Sequence, residues 1–74
     1  MIVGSDFSQV IAHGTTQWAR SIWIFGETKD GVWCATNARL DEMGNTKTCK
    51  DEAELRSLMT WFQSKGWDLD IHKA

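Results

Sequence analysis

The sequence predicts an α+β fold: a small, mainly antiparallel four-stranded sheet with one long helix packed on one face and a short N-terminal helix. Three observations carry this expectation. Lys29-Asp30-Gly31 separates two apolar runs, Leu55, Leu58, Met59 and Phe62 recur at helical spacing, and residues 67–72 alternate apolar and polar without a fault.

From the N-terminus, Phe7, Val10 and Ile11 stand at i, i+3 and i+4, with Ser5 or Asp6 as a cap, Gln9 completing a capping box and Gly14 suited to the position after a C-terminus. These features predict a two-turn helix. Val10-Ile11 is β-branched and leaves a strand as the alternative.

Trp18 to Gly26 contains Trp18, Ile22, Trp23, Ile24 and Phe25, all good strand formers. Val32-Trp33-Cys34-Ala35-Thr36 follows, and Lys29-Asp30-Gly31 suits a type I turn with glycine in the left-handed bulge position. A three-residue loop sets Thr28 opposite Val32 and Ile24 opposite Thr36. One face of the hairpin then carries Ile22, Ile24, Val32, Cys34 and Ala38, and the other Trp23, Phe25, Trp33 and Ala35. The aliphatic face is expected to pack on the helix, leaving the aromatic face open or covered by the N-terminal segment.

Residues 41–45 supply a second turn, and Thr46-Lys47-Thr48-Cys49 reads as a partly solvated edge strand. Asp51 caps the long helix, with Glu54 completing a capping box; Gly66 ends it. Trp67, Leu69 and Ile71 point inward on the last strand, and Asp68, Asp70 and His72 outward. A strand that follows a helical crossover is expected to run parallel to a neighbour, most simply the first strand of the meander.

Length, charge and cysteine usage bound the function. The 74 residues are half the ~150 that serve as a soft unit of one domain, so residues 1–74 are read as one compact domain, too short to enclose a deep catalytic cleft. No apolar run approaches the ~18 residues of a membrane span, and no signal-peptide order opens the chain. Two cysteines without such a signal point to free thiols and the cytoplasm. If the second turn centres on Gly44-Asn45, Cys34 and Cys49 lie ~20 Å apart. A loop centred earlier in the chain would instead set them opposite each other.

The net charge is −2 and the eight Lys and Arg are scattered singly, so nucleic acid is an unfavoured partner. His13, Cys34, Cys49 and His72 lack the close pairs of a structural zinc site. Asp68, Asp70 and His72 form an acid–imidazole row along one strand face that suits a cation only with further ligands. Neither His lies in a nucleophile motif, so no catalytic residue, metal site or cofactor is assigned. At Cys49 the helix N-terminus lowers the thiol pKa, while Asp51, Glu52 and Glu54 raise it.

The five tryptophans, in a chain without tyrosine or proline, are the strongest lead. Trp67 is core by alternation, and Trp61 falls at the edge of the helix stripe. An open aromatic face marks an interaction site, so Trp23, Phe25 and Trp33 are the candidate anchors for a larger protein partner. The acidic helix start, Asp51, Glu52 and Glu54, is a candidate contact for a basic partner surface. The chain is thus expected to be a non-catalytic module that docks on and inhibits or modulates a larger protein. In size and acidity it resembles the small inhibitors of phages and mobile elements, including anti-CRISPR proteins. One alternative is a single-stranded nucleic-acid binder stacking bases on Trp23, Phe25 and Trp33, with Arg20, Lys29 and Arg39 nearby. A third is a small metal-dependent enzyme built on Asp68, Asp70 and His72. No membrane contact is expected, and a homodimer stays open.

Overall fold

A computed structural model describes residues 7–18, 22–37 and 46–72. Strands β1 (Phe7–Thr15), β2 (Trp23–Thr28), β3 (Trp33–Asn37) and β4 (Thr46–Cys49) precede helix α1 (Glu52–Ser64) and strand β5 (Asp68–Ile71). They form a five-stranded antiparallel sheet in the order β4-β3-β2-β1-β5.

The β2–β3 hairpin matches expectation. The Thr28 N–H donates to Val32 O and the Gly31 N–H to Thr28 O, both at 2.9 Å. Gly31, at φ 84°, occupies the left-handed position. Ile24 pairs with Thr36 and Phe25 with Ala35, so Trp23, Phe25, Trp33 and Ala35 share one face.

The N-terminal segment corrects the expected short helix. Residues 7–15 form a strand that pairs with β2 on one side and β5 on the other. Its register with β2 shifts between Phe7 and Gln9 and again between Val10 and Ala12. Such a shift resets the alternation of a strand, so Ile11 and Ala12 are both buried side by side. Phe7, Val10 and Ile11 thereby mimic helical spacing. Ser5 and Asp6, the expected caps, lie outside the described residues.

Inserting β1 makes the sheet five-stranded and also changes the last connection. β5 runs in the direction of β2, as expected, but β1 lies between them and β5 pairs antiparallel with β1. Trp18 falls before β2 rather than within it and meets Trp67 edge-on, ring centroids 5.4 Å apart.

The largest correction concerns the face that α1 covers. Leu55, Met59 and Phe62 pack on Ile11, Ala12, Trp23, Phe25 and Ala35. Phe62 lies 5.0 Å from Trp23 and 5.1 Å from Phe25, centroid to centroid. The helix therefore sits on the aromatic face. Each large aromatic side chain removes roughly 150–250 Å² from water, far more than Val or Ala on the other face, and this favours covering the aromatic side. Ile22 and Val32, expected beneath the helix, are exposed. Ala38 lies outside the described residues. Trp67 and Leu69 pack at the margin of the core, whereas Ile71 is exposed.

β4 is an edge strand, as expected, but its register is not the one a Gly44-Asn45 turn imposes. Cys49 stands opposite Trp33, and Cys34 opposite Thr48. Strand alternation then aims Cys34 away from α1 and Cys49 toward it. Both thiols are free because they occupy opposite faces of the sheet, not because they are far apart along it. Residues 38–45, including Leu40 and the turn, lie outside the described residues. No helix among the described residues is long and apolar enough to cross a membrane.

Candidate functional site

With the aromatic face closed, Trp23 and Phe25 lose the exposure that anchoring a partner or stacking bases requires. Phe25 is 0% and Trp23 7% exposed. Trp33 is half-buried opposite Cys49, at the β4 side of the sheet. Of the basic residues weighed for nucleic acid, Arg20 and Arg39 lie outside the described residues, and Lys29 is exposed on the β2–β3 loop.

The acidic helix start divides into three separate roles. The Asp51 carboxylate accepts the Glu54 N–H at 2.9 Å and caps α1. Glu52 pairs with Arg56 one turn on, at 2.8 Å, an exposed i,i+4 pair. Glu54 lines a concavity.

That concavity is a cleft of about 410 Å³ between edge strand β4 and α1, lined by Lys47, Thr48, Cys49, Glu54, Ser57, Leu58 and Trp61. Its geometry follows from two periodicities. On α1, Glu54, Ser57, Leu58 and Trp61 stand at i, i+3, i+4 and i+7, a second stripe beside the core stripe of Leu55, Met59 and Phe62. On β4, Lys47 and Cys49 alternate onto the face that α1 occupies. The helix lies against β4 as well as β2 and β3, and between β4 and α1 the second stripe forms one wall of the cleft.

Leu58 is half-buried in this wall, and Trp61 is 50% exposed at its rim. The Trp61 ring is held edge-on against Phe62, centroids 5.3 Å apart, with Lys65 Nζ 5.6 Å from its centroid. An indole fixed in this way loses little freedom when a second surface covers it. Lys47 and Glu54 place one charge of each sign around a mostly apolar surface that also carries the Thr48 and Ser57 hydroxyls. Burial first, then Glu54, Cys34 and Asp51, push the Cys49 thiol above its ordinary pKa. Burial likewise raises Cys34, against a hydrogen bond with Thr36 that lowers it. Both shifts run opposite to the lowering that activates a thiol.

The cleft joins Glu54 to residues not assigned as anchors from sequence. Trp61 was visible there as a tryptophan out of phase with the core stripe, and the i, i+3, i+4, i+7 series that it closes was the signal to follow.

On the opposite sheet face, His13 Nδ1 lies 2.8 Å from His72 Nε2. His13 pairs across β1–β5 with Asp70, so the expected Asp68-Asp70-His72 row does share a face, extended by His13. Among the described residues, no group of three or more His, Cys, Asp or Glu is placed to hold a metal ion. Comparison with protein-family models, with curated proteins and with solved structures finds no match.

Proposed function

We propose that the protein is a non-catalytic binding module that docks on a larger protein and inhibits or modulates it, and that the cleft between β4 and α1 receives the partner. The observation that carries this reading is the half-exposed Trp61 beside Leu58 and an edge strand. β4 pairs with β3 on one side, and among the described residues no strand occupies the other. An edge of this kind takes an extended segment as an added strand, main chain to main chain, while a neighbouring pocket selects its side chains. The occupant proposed is therefore an extended partner segment that places an apolar side chain against Leu58 and Trp61, between Lys47 and Glu54. Tryptophan is a favoured anchor at interfaces, and a ring already held against Phe62 is well suited to that role.

The test is a pull-down from the native host with the wild-type chain and with Trp61→Ala, washed at low and at about 0.5 M salt. A partner protein retained through the salt wash by the wild type, and reduced at least tenfold by Trp61→Ala, supports the reading. Assaying that partner's own activity with and without the module then tests inhibition. Equal capture by both chains removes the cleft from the proposal. Capture of nucleic acid that salt abolishes favours the nucleic-acid alternative, since phosphate contacts fall steeply with salt.

A further inference from the structure

We infer that His13 and His72 form a bidentate site for a borderline divalent transition-metal ion, of the zinc class, on the sheet face opposite α1. The inference is independent of the cleft.

The two side chains come from different strands. His13 lies within β1, and His72 immediately follows β5, held there by its own N–H donating to Ile11 O at 2.8 Å. Since His13 pairs with Asp70, His72 is its diagonal neighbour on the same face, a relation that long side chains can span. They do span it: ring centroids are 4.6 Å apart at 45°, and Nδ1 of one faces Nε2 of the other at 2.8 Å.

That separation suits a chelate. A zinc ion takes imidazole nitrogens at about 2.0–2.1 Å, and an angle between tetrahedral and right-angled sets the two nitrogens about 2.9–3.4 Å apart. A shift of a few tenths of an ångström reaches this range, with no change of strand register. In the free protein one of these nitrogens donates to the other, the roles following the tautomer. On binding, the donor ring carries its hydrogen on its other nitrogen instead, so both facing nitrogens offer a lone pair to the metal. Imidazole pairs suit zinc, copper and nickel, and not magnesium or calcium. Asp70 beside His13, and Asp68 two residues before it, add negative charge on the same face. Among the described residues no third protein ligand is placed to complete the coordination, so water supplies the remaining positions. The bound ion would tie edge strand β5 to β1.

The experiment is titration of the full chain with zinc chloride by calorimetry, with magnesium chloride as the control. About one zinc per chain with micromolar affinity is expected, and no binding of magnesium. His72→Gln and His13→Gln should each weaken zinc at least tenfold, whereas Cys49→Ala should leave it unchanged. His72 is exposed, so its variant should melt like the wild type without metal and decides the matter even if His13→Gln folds poorly. Saturating zinc should raise the melting temperature of the wild type and not of His72→Gln. No zinc binding below millimolar concentration, equal affinity in His72→Gln, or loss of binding in Cys49→Ala would each overturn the site.

Discussion

Trp23 and Trp61 belong to the same aromatic cluster, both in ring contact with Phe62, yet they do opposite things. Trp23 is sealed between β2 and α1, and Trp61 stands at the rim of the β4 cleft with half its surface in water. The difference does not lie in the residue type or in strand against helix. It comes from which side of Phe62 the ring occupies: the side facing the sheet is core, and the side facing the β4 cleft is surface. A tryptophan in a domain this small thus reports the position of the helix before it reports a function.

The largest effects should come from the sheet side of that comparison. Phe62→Ala and Phe25→Ala each remove a ring from the closed core and should cost about 3–5 kcal/mol. A domain of this size has little more than that in total, so both variants should be mostly unfolded by denaturant titration. Native-like midpoints would mean that α1 does not rest on the aromatic face.

Gly26→Ala comes next. A Cβ at Gly26 would meet the backbone of β1, 2.1 Å from Gln9 O and 3.0 Å from Val10 Cα. Strand backbones cannot yield as a side-chain tip can, so a loss of about 1–3 kcal/mol is expected by thermal melting. An unchanged melt would contradict the pairing of residues 7–15 with β2.

How much of this was legible in the sequence depends on whether local chemistry or long-range packing decided each element. The hairpin was, because a Lys-Asp-Gly turn sets register within a few residues, and so was α1, through its cap and stripe. β1 was not, because register shifts at Phe7/Gln9 and Val10/Ala12 disguise a strand as helical spacing. That error hid His13 from the acid–imidazole row. The sets of side chains on the two hairpin faces followed from the turn, but which set meets the helix is a property of the whole sheet. The cleft depends on that choice, so of the residues assigned as anchors only Glu54 reappears in its lining.

On the cleft side the effects on stability should be small and those on binding large. Leu58→Ala, half-buried, should cost less than Phe62→Ala, at most about 2 kcal/mol. Trp61→Ala should stay within about 1 kcal/mol of wild type while losing the partner. A collapse of folding in Trp61→Ala would erase the contrast with the sheet side.

The smallest expected effect is a pH dependence. Both thiol pKa values are raised in the folded chain, so the native state holds these protons more tightly than the unfolded state. Their contribution is fully present below the ordinary thiol value of 9.0 and fades as pH rises through the folded values. Denaturation midpoints should therefore fall above about pH 9 in the wild type, and less so in Cys49→Ala.

The central claim, that the aromatic sheet face is core and the cleft rim is surface, is tested most directly by fluorine NMR of the chain labelled with fluorotryptophan, in the presence of a soluble gadolinium chelate. Single Trp→Phe substitutions assign the five resonances. Trp18 and Trp61 should broaden strongly, Trp33 and Trp67 partially, and Trp23 should remain sharp. A Trp23 resonance broadened as much as that of Trp61 would contradict the account.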